Sequence, residues 1–116
     1  MTENQNITLT VTFKIPDTLN QKLNEKIIAD RYGMRGKSRW VREAIESLFT
    51  YHDFPELVFL SDDMENVNHS ISVRFPRKLL LAIERIVILV RKEYPEIEGV
   101  KSKIARTAII QRLIRS

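Results

Sequence analysis

The sequence contains no cysteine, and only two of its 116 residues are histidine. Without thiols, disulfide bonds, thiolate metal sites and cysteine nucleophiles are excluded, and two histidines are too few to predict a zinc site. Glycine is scarce as well, and the sequence contains no glycine-rich phosphate loop, nucleophile–base pair or cluster of metal ligands. We therefore predict that the protein is not an enzyme and that it holds no metal or cofactor.

Long apolar runs and export signals are also lacking. The longest apolar stretch, residues 79–90, is interrupted by Glu84 and Arg85 and is shorter than the roughly 20 residues that span a bilayer. Residues 1–6 are polar and lack the basic and then apolar pattern of a signal peptide. We therefore expect a cytoplasmic protein without membrane contact.

Charge is distributed unevenly along the chain. Residues 1–49 carry a net charge of +2, residues 50–68 carry five acids and no base, and residues 69–116 carry a net charge of +7. A basic second half favours a polyanionic partner, such as nucleic acid. Considered alone, the charge favours a basic surface that contacts only solvent just as much as it favours such a partner.

The chain contains an internal repeat. Residues 11–16 read Val-Thr-Phe-Lys-Ile-Pro, and residues 71–76, sixty positions later, read Ile-Ser-Val-Arg-Phe-Pro. Both segments follow the order apolar, hydroxyl, apolar, cation, apolar, proline. A second block, residues 38–45, aligns with residues 102–109 at an offset of sixty-four. Two matching blocks in the same order indicate a tandem duplication.

Each copy predicts a strand followed by two helices. In the first copy, residues 9–15 alternate between apolar and polar, which predicts a strand with one apolar face. A helix follows as far as Tyr32 and ends at Gly33, and Ser38 is predicted to be the N-cap of a second helix. The second copy predicts a strand over residues 70–75 and helices over residues 77–94 and 102–115.

The predicted domain organisation has a first repeat over residues 1–50, an acidic linker over residues 51–68 and a second repeat over residues 69–116. The linker is interpreted as a solvated tether, although residues 58–60 favour either a short strand or a cover over an apolar surface. A single copy leaves its strand unpaired and has little core. The prediction is therefore an α+β, mainly helical fold, in which an antiparallel two-stranded ribbon and four helices form one intertwined unit. Whether the strands pair within one chain or between two chains stays open.

The outward face of this predicted ribbon carries hydroxyl and cationic side chains and no carboxylate. A two-stranded ribbon fits the major groove of DNA, where hydroxyls and cations can contact base edges. The residues are Thr10, Thr12, Lys14, Ser70, Ser72 and Arg74.

These motifs resemble the ribbon-helix-helix family, to which the Arc and methionine repressors belong. The resemblance covers both copies and identifies the chain as a tandem member. It implies base contacts in double-stranded DNA from the six ribbon residues and phosphate contacts at the start of each second helix, where helix N-termini attract anions. The implied phosphate-contacting residues are Lys37, Ser38, Arg39, Lys101, Ser102 and Lys103. Because Lys14 in one copy corresponds to Arg74 in the other, an asymmetric or degenerate operator is expected.

Two features lie outside this DNA-binding pattern. Trp40 is predicted to lie at the edge of the core and not to stack on DNA.

The predicted helix over residues 77–94 is apolar around most of its circumference, so it is buried on more than one side. Either the linker residues Phe54, Leu57 and Phe59 cover it, or a second chain does, and we favour a homodimer. The surplus apolar residues are Leu80, Leu81, Ile88 and Leu89.

The function predicted from the sequence is a sequence-specific DNA-binding regulator of transcription, repressor or activator, associated with the nucleoid or with a mobile genetic element. An accessory protein of plasmid transfer or partition is the first alternative. A protein-interaction module or an antitoxin is an alternative of another class. An antitoxin usually needs a C-terminal extension beyond its last helix, whereas this sequence stops at Ser116. The operator sequence and any co-regulator are not predicted.

Overall fold

Two strands that lie far apart in the chain pair to form the only sheet among the described residues. The computed structural model describes residues 8–33, 35–60 and 67–115. The elements in chain order are β1 (Thr8–Ile15), α1 (Asp17–Ala29), α2 (Lys37–Leu48), α3 (Phe54–Leu60), β2 (His69–Pro76), α4 (Arg77–Glu93) and α5 (Val100–Arg115). The fold is thus α+β and mainly helical, with a two-stranded antiparallel sheet, as predicted.

The strands form because apolar residues alternate with polar ones and one face of the sheet can be buried. On the inner face, Phe13 and Ile15 of β1 lie beside Val73 and Phe75 of β2, and all four are at most 2% exposed. The rings of Phe13 and Phe75 meet edge to face, with centroids 5.9 Å apart. The outer face of the same sheet stays in solvent.

The register of the sheet reflects the sixty-residue offset. Thr12 lies opposite Ser72, its counterpart in the second copy, and the other pairs extend symmetrically from Thr8–Pro76 to Ile15–His69. An approximate two-fold axis through the Thr12–Ser72 pair therefore relates β1 to β2. The two strands belong to the same chain, which is one of the two arrangements that the sequence left open.

α4 ends at Glu93, one residue before its predicted end, and three other helix boundaries differ more from the prediction. α1 ends at Ala29 and not at Tyr32, because Arg31 adopts a left-handed conformation with φ 61°. α2 begins at Lys37 with Gly36 as its N-cap, so the predicted capping role of Ser38 is wrong. α5 begins at Val100, two residues before the predicted start, after Gly99 with φ 62°.

Gly36 is required by a close approach within the turn that connects α1 to α2. A Cβ atom at this position would lie 2.4 Å from both the Cβ and the carbonyl oxygen of Tyr32, much closer than atoms can pack. The chain therefore turns tightly into α2, and Ser38 falls in the first turn of the helix.

The linker contains a helix, α3, and is neither a strand nor a bare tether over those residues. Val58 is fully buried, the Phe59 ring stacks on Tyr94 at 3.9 Å, and Phe54 contacts Phe49. α3 packs against α4 and α5. The expectation that this segment covers an apolar surface is correct, but the surface lies at the C-terminal end of α4.

The core forms where α2 and α5 pack against each other beneath the sheet. Trp40 is fully buried there and lies in the core itself, not at its edge as predicted. Its Nε1 donates to Asp30 Oδ2 at 2.9 Å, which satisfies the buried indole N–H. Among the described residues, no helix is long and apolar enough to cross a membrane.

α4 remains incompletely covered. Only Ile83 and Val90 are buried in this 17-residue helix, and the other apolar residues at helical spacing from them, Leu79, Ala82, Ile86 and Val87, are partly buried. Leu81, Ile88 and Leu89 are 50%, 61% and 42% exposed, and Leu80 is half-buried. A homodimer through this face stays a prediction.

Candidate nucleic-acid interface

The outer face of the sheet brings the six predicted base-contacting residues into one row. They form three cross-strand pairs, all exposed: Thr10–Arg74, Thr12–Ser72 and Lys14–Ser70. The hydroxyls of Thr12 and Ser72 lie 3.3 Å apart. Because a strand rises about 3.4 Å per residue, Lys14 and Arg74 are separated by about 14 Å along the strands.

This row has the chemistry of a surface that contacts base edges. Its hydroxyls can donate and accept hydrogen bonds, and its two cations donate only. None of its six side chains is a carboxylate, so none would repel DNA phosphates. The two positive charges lie at opposite ends of the row, with the four hydroxyls between and beside them.

The backbone of the row is held at both outer edges by arginines from the helices beneath. Arg42 Nη1 of α2 donates to the carbonyl oxygen of Arg74 at 2.7 Å. Arg106 Nη1 of α5 donates to the carbonyl oxygen of Lys14 at 3.0 Å. The Arg74 N–H also donates to the Ser38 hydroxyl at 3.1 Å. These bonds satisfy strand edges that would otherwise be unpaired and fix the position of each cation.

A cluster of arginines lies at the Arg74 end of the row. Arg35, Arg39, Arg42 and Arg74, together with Ser38, line an open cavity of about 400 Å³ at the start of α2. The sequence predicted Ser38, Arg39 and Arg74 as DNA contacts but missed Arg35 and Arg42. Arg42 could have been identified from the sequence, because it lies within the repeated block that begins at Ser38. Nothing in the local sequence brings Arg35 close to Arg74.

The third residue predicted at this end, Lys37, faces α1 instead. Its ammonium group donates to Asn20 Oδ1 at 3.2 Å, and burial lowers the pKa of Lys37. Lys37 also lines a second cavity with Ile27, Ile28 and Arg31. Its charge is thus set back from the arginine cluster.

Arg39 is positioned by neighbours in the first repeat. Its guanidinium lies 4.4 Å from the centre of the Tyr32 ring and its Nε lies 3.4 Å from Glu43 Oε2. Glu43 also accepts a hydrogen bond from the Tyr32 hydroxyl, and this bond is the main reason that its pKa is lowered. The Glu43 carboxylate is therefore charged at neutral pH and offsets part of the Arg39 charge.

The three residues predicted at the start of α5 have different surroundings. Lys101 Nζ forms an ion pair with Glu84 Oε1 at 2.5 Å. Lys103 lines a cavity of about 310 Å³ together with Glu96 and Glu98. Ser102 is the third residue of α5 and is half-buried. The lysines at this helix start are thus accompanied by carboxylates, whereas the arginine cavity has none among its lining residues.

The chain was compared with protein-family models, curated proteins and solved structures. No protein-family model, curated protein or solved structure matches the chain. Within the described residues, no group of three or more histidines, aspartates and glutamates could hold a metal ion.

Proposed function

We propose that the protein is a sequence-specific double-stranded DNA-binding regulator of transcription, and that it inserts the two-stranded sheet into the major groove. The observation that carries the proposal is the exposed row of four hydroxyls and two cations. A two-stranded ribbon fits the major groove, where each base pair presents a distinct pattern of donors and acceptors. Arg74 would make a bidentate contact to guanine O6 and N7, and Lys14 would contact a base nearer the other end.

The symmetry of the contacts supports the further proposal that the chain is a tandem ribbon-helix-helix protein. Thr12 pairs with its counterpart Ser72. Arg42 and Arg106, which the sixty-four-residue offset relates, each bind the carbonyl oxygen of the cation in the opposite repeat's strand. Two copies that exchange contacts in this way form one unit, with the ribbon on one side and the helices on the other.

Two other functions stay open as narrower or different proposals. An accessory role in plasmid transfer or partition would use the same DNA-binding surface. A protein-interaction module would use the exposed apolar residues of α4 and would not need the ribbon to bind DNA. Immunoprecipitation of the protein from its source cells, followed by sequencing of bound DNA, separates these roles by the genes that lie beside the bound sites.

A selection from a random duplex library tests the proposed function. We expect one sequence to be enriched, and each guanine in it can then be replaced in two ways. The base 7-deazaguanine removes an acceptor in the major groove, whereas inosine removes the amino group in the minor groove. At a guanine that Arg74 contacts, we expect 7-deazaguanine to weaken binding by about fivefold and inosine to have no effect.

Two results would overturn the proposal. If no sequence is enriched and all duplexes bind equally, the ribbon does not read bases. If inosine weakens binding and 7-deazaguanine does not, the protein reads the minor groove, and the assignment of the outer face of the sheet is wrong.

A further inference from the structure

The cavities beside the two starts of the repeated second helix differ in the formal charge of their lining residues. The cavity before α2 is lined by four arginines and no acid, a formal charge of +4. The cavity before α5 is lined by one lysine and two glutamates, a formal charge of −1. The nearby Lys101 is paired with Glu84. The two cavities are lined by different parts of each repeat, because Arg106 and Lys14, the counterparts of Arg42 and Arg74, do not line the cavity before α5. What distinguishes the start of α5 is the set of carboxylates beside its two lysines, namely Glu84, Glu96 and Glu98.

The arginine cavity is continuous with the row that faces the groove, because Arg74 belongs to both. A guanidinium can form two parallel hydrogen bonds to a phosphate group. The first amide that bonds back into α2 is that of Trp40, which donates to Gly36 O at 2.9 Å. The preceding first-turn amides, which include those of the lining residues Ser38 and Arg39, therefore have no acceptor within the helix. A phosphate beside the groove at this end thus meets several donors and no carboxylate among the lining residues.

Glu43 offsets the charge of one arginine of this cluster, Arg39, and it also pairs with Arg112, which lies outside the cluster. It forms an ion pair with Arg39 but is not among the residues that line the cavity. Arg35 lies in the turn before α2 and is exposed, and Arg74 is exposed on the ribbon. Since the proposed function assigns Arg74 to a base, Arg35 remains the main candidate to bind a phosphate.

We infer that the protein binds the phosphate backbone of DNA strongly at the Arg74 end of the ribbon and weakly at the Lys14 end. It therefore binds a non-palindromic site in one orientation. This inference rests on the proposed function. Of the six residues that the family resemblance implied for phosphate, Ser38 and Arg39 remain in this assignment, Lys37 is set back against α1, and Arg35 is added. Lys101 and Lys103 contribute little, because neighbouring carboxylates offset their charge.

Two single-charge variants compare the ends of the ribbon. Arg35→Ala removes a cation from the arginine cavity, and Lys101→Ala removes one from the start of α5. The control is Arg91→Ala, which removes an exposed arginine fourteen residues after Arg77 in α4, or about 21 Å along the helix axis. Fluorescence anisotropy across a salt series measures the slope of log affinity against log salt concentration, and thermal unfolding verifies that each variant folds.

We expect Arg35→Ala to reduce this slope by about one, the value for one lost phosphate contact, and Lys101→Ala to reduce it by less than half as much. A second measurement locates the contact. In a series of duplexes, one phosphate at a time is replaced by an uncharged methylphosphonate. We expect about a tenfold loss of affinity at a phosphate on one side of the site, almost no loss at the symmetry-related phosphate, and little sensitivity at either position in Arg35→Ala.

Equal losses on the two sides, or a methylphosphonate effect that Arg35→Ala leaves unchanged, would overturn the inference while the proposed function stands. If the unmodified protein binds no duplex at all, the proposed function fails and the inference fails with it. The two failures are therefore distinguishable in one series of measurements.

Discussion

The two repeats keep the same framework but differ in what they present to solvent. In both, the strand contributes apolar residues to a shared core, and an arginine of the second helix binds the opposite strand. The first repeat adds the arginine cavity at its α2 start, whereas the second has carboxylates there. The first helices also differ, since Leu81 and Leu89 of α4 stand where α1 has Gln21 and Ala29. Apolar positions of the shared core stay apolar in both repeats because packing constrains them, whereas exposed positions outside the ribbon row differ between the repeats.

The largest expected effect comes from separating the repeats. Residues 1–50 and residues 69–116, expressed as two chains, each lose the partner strand and the packing between α2 and α5. We expect each half alone to be largely unfolded or to self-associate, and a mixture of both to regain helical structure. Circular dichroism and analytical ultracentrifugation measure both properties. Two stable monomeric halves would show that the repeats are independent.

Much of this shared framework is predictable from the sequence, because strand alternation is a local pattern and the repeat is visible when the two halves of the sequence are aligned. The predicted six-residue row lies on one face because a strand has a period of two. Other features depend on tertiary contacts. Ser38 has the chemistry of an N-cap but bonds to the Arg74 amide, and α3 forms where Val58 finds a buried site. The approach of Arg35 to Arg74 joins residues from different repeats, so no local pattern indicates it.

A second comparison concerns the equivalent core positions Trp40 and Ile104, which are 0% and 1% exposed. Truncation of a buried tryptophan costs about 3–5 kcal/mol and truncation of a buried isoleucine about 2–5 kcal/mol. We expect Trp40→Ala to lower the free energy of unfolding more, because it also leaves Asp30 without its indole donor. Urea denaturation followed by circular dichroism measures both. A clearly larger loss for Ile104→Ala would contradict this ranking.

A third prediction compares the outer faces of α1 and α4. Ile28 and Ile88 are equivalent and exposed, but only α4 adds Leu81 and Leu89. Burial of each such side chain at a dimer contact would contribute about 1.5–3 kcal/mol. We expect the double variant Leu81→Lys, Ile88→Lys to be monomeric in sedimentation velocity, and the control Ile28→Lys to behave like the unmodified protein. A monomeric unmodified protein at micromolar concentrations would exclude the dimer.

The smallest expected effect is a dependence on pH that resides in the first repeat. The carboxyls of Glu43 and Asp30 have pKa values lowered from 4.5 and 3.8, mainly by hydrogen bonds from Tyr32 and Trp40, respectively. A lowered pKa stabilises the fold above the ordinary value, and this contribution is lost as the pH falls through the lowered one. The counterpart of Glu43 in the second repeat is Thr107, which does not titrate.

We therefore expect the unfolding free energy of the unmodified protein to fall below about pH 4.5 more steeply than that of Glu43→Gln. Because Glu43 is partly exposed, the difference is less than about 1 kcal/mol. Chemical denaturation at a series of pH values measures it. Identical slopes for the two proteins would show that the Tyr32–Glu43 hydrogen bond adds no stability.

The most direct test of base recognition by the ribbon is the specificity ratio of Arg74→Ala, which is the affinity for the selected duplex divided by that for a scrambled duplex. Fluorescence anisotropy measures both affinities at one salt concentration, with Arg91→Ala as the control for loss of charge. We expect Arg74→Ala to lose about 1–3 kcal/mol on the selected duplex and to flatten the preference at one base pair, with Thr12→Ala and Ser72→Ala showing milder losses. If Arg74→Ala weakens both duplexes equally and leaves the ratio unchanged, the ribbon does not read the sequence.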